Sequence, residues 1–243
     1  MVSEKVYDKV KALQGGLIVS CQASTGEPLC KPDHIVALCL TVINGGADAL
    51  RLEGVDNIRA VRAVTELPII GITKTDGLTA EERLEKVFIT PTFEDARRVA
   101  EAGADIIALD ATARPRPDGL SLEETIALVH RELDKPVWAD VATLEEGTAA
   151  FAAGSDIVST TLFGYTSYCL ADETDGPSFD LLRGLVEAVT VPVILEGRVW
   201  HTEDVERAIE AGAYAVVVGS AITRPHLITR RFRQALTAKS LHK

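Results

Sequence analysis

Four charged side chains occupy places where charge is costly. Arg51, Lys74, Asp140 and Glu196 each stand inside or at the end of an apolar run: Ala49-Leu-Arg-Leu-Glu53, Pro68-Ile-Ile-Gly-Ile-Thr-Lys74, Val137-Trp-Ala-Asp140 and Pro192-Val-Ile-Leu-Glu196. Buried charges need partners or a purpose. A lysine that is partly desolvated and crowded by an arginine loses part of its basicity. Lys74 is therefore a candidate proton-abstracting base or Schiff-base amine, with a plain salt bridge to a neighbouring Asp as the bland alternative. Glu196 is a candidate second acid/base group, or an ion-pair partner for Lys74 or Arg198. Gln22 suits an amide or hydroxyl of a substrate, or simply caps a rim. Asp140 suits sugar hydroxyls, or a structural pair with an Arg.

A second signal is an anion site. Gly197 follows Glu196 directly, and Gly219-Ser220 opens the segment that runs to Arg224. Glycine amides and a helix start offer N–H groups to a phosphate, and Arg224 adds a cation. We expect Gly197, Gly219 and Ser220 to meet phosphate and Arg224 to contact the anion. Other chemistries lack their motifs. The five histidines show no metal-ligand spacing with a strand-end carboxylate. No dinucleotide or P-loop glycine pattern occurs, and no Gly-x-Ser-x-Gly elbow. Neither a metal nor a cofactor is expected.

Something must bring these residues together. Eight apolar runs, at Leu17–Gln22, Ala49–Glu53, Ile69–Lys74, Ile106–Thr112, Val137–Asp140, Ile157–Thr161, Val193–Glu196 and Ala215–Gly219, read as strands. Between them, stretches such as Asp33–Ile43, Val55–Val64, Phe93–Ala102, Leu122–Leu133, Leu144–Ala153, Phe179–Val189 and Val205–Ala211 carry apolar residues at helical spacing. The punctuation repeats. A Gly-Ala-Asp turn or a variant precedes the even strands, and a Pro precedes the third, fifth and seventh. Turn residues 47, 104, 155 and 213 lie 57, 51 and 58 apart, two strand–helix units each. Eight such units in 243 residues predict an α/β (β/α)₈ barrel, one domain over residues 1–243. An open doubly wound sheet is the alternative built from the same units. In a barrel the carboxyl ends of the strands converge on one face, where all of these candidates would meet. The two irregular stretches, Ala113–Gly119 and Gly164–Ser178, fall on that side.

Composition narrows the partners. Hydrophobic residues make up 47%, enough for a large core, while aromatics are only 5%, so aliphatic packing of a sheet buried on both faces is expected. A net charge of −11 without a basic block argues against nucleic acid or a membrane surface. No signal segment or membrane-length apolar run is visible, and Cys21, Cys30, Cys39 and Cys169 show no CxxC spacing, which fits reduced thiols in the cytoplasm. A homo-oligomer, most simply a dimer, is the base-rate expectation.

Taken in order, Ser20-Cys-Gln22, Arg51-Leu-Glu-Gly54, Gly71-Ile-Thr-Lys74, Ala108-Leu-Asp-Ala-Thr112, Arg116-Pro-Asp-Gly119, Ala139-Asp140, Ser159-Thr-Thr-Leu162, Glu196-Gly-Arg198 and Gly219-Ser-Ala-Ile-Thr223-Arg-Pro225 resemble the N-acetylmannosamine-6-phosphate 2-epimerases over nearly the whole chain. The resemblance implies a (β/α)₈ barrel and interconversion of N-acetylmannosamine 6-phosphate with N-acetylglucosamine 6-phosphate, in sialic-acid or amino-sugar breakdown. It implies Lys74 and Glu196 as catalytic groups, Gln22, Arg51, Asp140 and Arg224 as sugar-phosphate contacts, and Gly197 and Gly219 as phosphate amides. A proton at C2 of the open-chain sugar is α to the C1 aldehyde, so no cofactor is needed to remove it. Lys74 would take it, and Glu196 would assist ring opening or exchange a proton on the opposite face. Competing readings are a Schiff-base aldolase or another sugar-phosphate isomerase on the same barrel, and a non-catalytic sugar-phosphate binder.

Overall fold

The computed structural model describes residues 4–171 and 176–240. Helix α1 (Glu4–Lys11) leads into β1 (Leu17–Cys21), α2 (Pro32–Asn44), β2 (Ala49–Glu53), α3 (Val55–Arg62) and β3 (Ile69–Ile72). Then come α4 (Ala80–Glu85), α5 (Phe93–Glu101), β4 (Ile106–Asp110), α6 (Leu122–Leu128), β5 (Val137–Asp140), α7 (Leu144–Ala152) and β6 (Ile157–Ser159). Two two-residue strands, β7 (Tyr165–Thr166) and β8 (Cys169–Leu170), form a small antiparallel hairpin. The chain continues through α8 (Phe179–Ala188), β9 (Val193–Glu196), α9 (Thr202–Glu210), β10 (Ala215–Val218), α10 (Ser220–Thr223) and α11 (Pro225–Ser240). Strands β1–β6, β9 and β10 pair in parallel and close into a barrel, in the order β1-β10-β9-β6-β5-β4-β3-β2. The closed ring decides for the barrel over the open sheet.

Alternation sorts every strand into two layers. Ile18, Ala49, Ile70, Ile72, Ile106, Ala108, Trp138, Ile157, Ile194, Ala215 and Val217 fill the barrel interior. Their neighbours, such as Val19, Leu50, Ile69, Ile107, Ala139, Val158, Leu195 and Val216, pack outward against the helices. Both faces are buried, which is why the strands read as continuous apolar runs. Gly71 shows how tightly the outer layer fits: a Cβ there would lie 2.5 Å from Val99 Cγ1 and 2.6 Å from Ala104 Cβ.

The repeated turns do specific work at the base of the barrel. Asp48 Oδ2 accepts from Leu17 N–H at 2.8 Å, Asp105 Oδ2 from Ile69 N–H at 2.9 Å and Asp156 Oδ2 from Val137 N–H at 2.7 Å. In each case the Asp main-chain N–H donates back to the same residue's carbonyl, at 2.9, 2.9 and 3.0 Å. The preceding glycines, Gly46, Gly103 and Gly154, take φ of +95, +108 and +97°, the left-handed turn that ends a helix. In the fourth repeat Tyr214 stands in the Asp position and keeps only the main-chain bond, to Val193 O at 2.7 Å.

The differences from the sequence reading lie at the ends and in the loops. Several strands stop one or two residues early, because ladder pairing ends where the chain turns toward the mouth. Helix α9 begins at Thr202 rather than Val205. The stretch Leu122–Leu133 is α-helical only to Leu128 and closes as a π-turn over Val129–Leu133 before Asp134 at φ +48°. Helices α4 and α11 were not expected, and the stretch from Gly164 contains the hairpin; residues 172–175 lie outside the described residues.

Candidate active site at the carboxyl ends of the strands

Continuing the inward alternation past the apolar layers gives the side chains at the mouth. From β1 come Ser20 and Gln22, from β2 Arg51 and Glu53, and from β3 Lys74. Asp110 and Thr112 follow from β4, Asp140 from β5, Ser159 and Thr161 from β6, and Glu196 from β9. Gly219 takes the inward position after β10.

Arg51 is the hub. It is only 1% exposed and reaches across the barrel axis to two carboxylates. Its two terminal nitrogens donate to Asp140 Oδ1 and Oδ2 at 3.0 and 2.5 Å, and one of them also donates to Glu196 Oε2 at 2.8 Å. The fork geometry suits such a bidentate clamp. Asp140 is further held by Trp138 Nε1–H at 3.0 Å and Thr161 Oγ1 at 2.6 Å. Thr161 also reaches Glu196 Oε2 at 3.2 Å. Trp138 is fully buried, and its ring lies 5.5 Å below the guanidinium. The ion-pair partner of Glu196 is thus Arg51, and neither Lys74 nor Arg198, the two candidates weighed as the alternative to an acid/base role, pairs with it. Burial lifts the Glu196 pKa to about 7, with Arg51 pulling it down and Asp140 pushing it up.

Lys74 is half-buried and donates to Gln22 Oε1 at 2.6 Å. Gln22 in turn donates to Ser20 Oγ at 2.8 Å. No ion pair of Lys74 occurs among the described residues; the expected alternative of a neighbouring Asp partner is not what the fold provides. Desolvation lowers the Lys74 pKa to about 8, against the pull of Glu53 and Glu196 and with the help of Arg51 and Arg224. An amine near 8 and a carboxyl near 7 share one mouth. Titratable groups driven toward each other across neutrality are suited to passing protons.

The loops after β9 and β10 carry the expected anion residues. Gly197 has φ +100° and Arg198 φ +61°, so the chain turns sharply after Glu196. Arg198 does not face Glu196: it stacks on Tyr165 at 5.0 Å and donates to Ala171 O at 3.2 Å, which fastens the hairpin to this loop. Gly219 packs against Ser20, where a Cβ would come within 3.3 Å of the Ser20 Cβ. Ser220 starts α10, and Thr223 Oγ1 ties that turn back to Ser20 O at 2.8 Å. Arg224 is not held open for an anion: its guanidinium grips both oxygens of Glu27, in the loop after β1, at 2.6 and 2.8 Å.

Three further side chains contribute to the mouth. Thr161 and Trp138 bind the carboxylates, and Glu53 lies beside Lys74 on the wall of a cavity of about 590 Å³. Strand alternation points Thr161 and Glu53 inward. A separate buried group, Asp110 with Thr112 and Arg114 (2.6 and 2.7 Å), braces the loop after β4. Nearby, Tyr168 of the hairpin donates to Glu146. Among the described residues no cluster of His, Cys, Asp or Glu could hold a metal ion, and no helix is long and apolar enough to cross a membrane.

Comparison with known proteins adds the family. The family model described as "Putative N-acetylmannosamine-6-phosphate epimerase" matches residues 35–238. A relative from Caldanaerobacter subterraneus subsp. tengcongensis is 45% identical over 228 residues, covering 93% of this chain and 92% of that protein. One from Thermosynechococcus vestitus is 46% identical over 228 residues, covering 94% and 96%. Both carry the name "Putative N-acetylmannosamine-6-phosphate 2-epimerase". The solved structure of the N-acetylmannosamine-6-phosphate 2-epimerase from Clostridium perfringens superposes with a TM-score of 0.86 at 40% identity, covering 93% of this chain and 95% of that one. With its barrel closed and its match spanning most of the sequence, this chain belongs to the N-acetylmannosamine-6-phosphate epimerase family.

Proposed function

We propose that the protein interconverts N-acetylmannosamine 6-phosphate and N-acetylglucosamine 6-phosphate by removing and returning the proton at C2. The observation that carries the reading is Lys74: an inward-facing amine, held by Gln22 and lowered to about 8, in the same mouth as a carboxyl lifted to about 7. The activity named for the relatives and for the Clostridium perfringens enzyme supports it. In the open-chain sugar, neutral Lys74 takes the C2 proton and the C–H electron pair moves toward O1; protonated Glu196 gives a proton to C2 on the other face, which inverts the centre, and Lys74 and Glu196 then exchange protons with solvent to restore the starting state. The resulting ammonium offsets the enolate charge. Arg51 and Thr161 both bind Oε2 of Glu196, so Oε1 is the atom that can meet substrate and assist ring opening. Gln22 would meet the sugar hydroxyls or the amide; Asp140, fully buried and held by Arg51, Trp138 and Thr161, would act through Arg51 rather than by touching the sugar, and Gly197, Gly219 and Ser220 would offer N–H groups to the phosphate.

Arg224 would complete the phosphate site by exchanging Glu27 for substrate. A cytoplasmic setting in amino-sugar breakdown fits a phosphorylated substrate. A homodimer is supported by Phe232 and Leu236, one turn apart on α11 and 74% and 64% exposed. The test is turnover of either epimer in heavy water: deuterium at C2 of the product is expected, and Lys74→Ala is expected to be inactive but folded. Turnover with no label at C2, or a fully active Lys74→Ala, would overturn the reading.

A further inference from the structure

The proposed mechanism leaves one inward-facing carboxylate without a task. Glu53 ends β2 and pairs in register with Ile72, two residues before Lys74. By strand alternation the Glu53 side chain leaves β2 on the same inward side as Lys74 leaves β3. The next residue, Gly54, donates its N–H to Ile72 O at 2.9 Å, so the two strand ends are stitched at the point where the lysine emerges. Glu53 and Lys74 also line the same cavity of about 590 Å³.

We propose that Glu53 is a positioning residue for Lys74, supplying negative charge to the amine from the neighbouring strand. This rests on the reading of Lys74 as the base. The charges that act on the amine are Glu53 and Arg51 from β2, Arg224 after β10 and Glu196 from β9, with Gln22 of β1 as its neutral acceptor; Asp76, on the loop after Lys74, acts on Glu53 itself. Among these charges Glu53 has the largest effect, and it opposes desolvation. Burial and Asp76 hold the Glu53 carboxyl above its ordinary range, and Lys74 draws it back. Without Glu53 the amine would be left with two arginines and one shared carboxylate, and its working range would fall to lower pH.

The experiment compares wild type, Glu53→Gln, Glu53→Asp and Lys74→Ala. It records kcat/KM against pH and, independently of activity, the pH dependence of Lys74 acetylation by acetic anhydride, read by mass spectrometry. In Glu53→Gln both midpoints are expected to move to lower pH by on the order of one pH unit, as for loss of one nearby opposite charge. In Glu53→Asp, which keeps the charge, both stay near the wild-type position. A Glu53→Gln enzyme that loses rate with unmoved midpoints would overturn the inference, as would a Glu53→Asp enzyme that shifts equally far. The acetylation midpoint can be read on any variant that folds, and Glu53→Asp alone still decides the matter if Glu53→Gln does not. An active Lys74→Ala would sink the function reading instead, while the acetylation midpoints would still report on Glu53.

Discussion

Replacing Lys74 with methionine should make the protein more stable while it abolishes turnover. The amine is displaced from its ordinary pKa of 10.5 to about 8 in the folded chain, chiefly by desolvation. At about 1.4 kcal/mol for each tenfold change in an equilibrium, that displacement costs the native state about 3 kcal/mol when the lysine must be protonated. The sign follows from the direction. A lowered lysine pKa means that the folded state resists the proton, so the cost is fully present below about pH 8 and fades as pH rises toward 10.5. Methionine of similar length removes the cost but leaves Gln22 Oε1, now 2.6 Å from the amine, to find water instead, which returns roughly 1 kcal/mol. The net expectation at pH 7 is a gain of about 2 kcal/mol, or a Tm increase of roughly 4–8 °C for a chain of this size. Urea unfolding of wild type and Lys74→Met, read by circular dichroism at pH 7 and again near pH 10, measures it. A variant no more stable than wild type at pH 7, or an advantage that does not shrink by pH 10, would refute the reasoning.

Arg51→Met should behave oppositely. It strands Asp140 and Glu196, now 2.5 and 2.8 Å from the guanidinium, and should cost roughly 3–5 kcal/mol. Protonation of Glu196, whose carboxyl already sits at about 7, should make the deficit smaller at pH 5 than at pH 8 in the same unfolding assay. Gly71→Ala, with contacts of 2.5 and 2.6 Å awaiting its methyl, should lose about 2–3 kcal/mol through overpacking of β3 against α5, seen as a Tm lowered by roughly 5–10 °C.

The barrel was legible because its signals are local and repeated. A strand buried on both faces leaves an apolar run, and a left-handed glycine or a proline marks its start. What the runs do not encode is how far each inward side chain reaches. Arg51 was expected to crowd Lys74, and it does, but its length carries it across the axis to β5 and β9. Pairing over the interior depends on ring closure, so the true partner of Glu196 lies 145 positions away in sequence. The pairing of Arg224 with Glu27 is hidden for a similar reason: Glu27 sits in a loop whose path no periodicity reports. Helix α4 is short and polar, and an apolar pattern cannot find it. Its start is nonetheless written in the reciprocal bonds of Thr79 and Glu82, a spacing visible in the sequence. Helix α11 hides for the opposite reason: its large apolar residues Phe232 and Leu236 face outward rather than into this barrel.

The substitution of Tyr214 for a turn aspartate has a mechanical meaning. Three quarters of the ring are latched at the base by a carboxylate that bridges consecutive strands. The fourth has only a main-chain bond, and a cavity of about 190 Å³ opens there among Val186, Pro192, Val193 and Tyr214. A hoop with three stiff joints and one slack joint yields at the slack one. That joint joins β9 to β10, whose upper ends bear Glu196, Gly197 and Gly219, while β3 and its lysine belong to a latched quarter. Any give at that joint would displace the strand ends that carry Glu196, Gly197 and Gly219 relative to Lys74, whose strand is latched to its neighbour by Asp105.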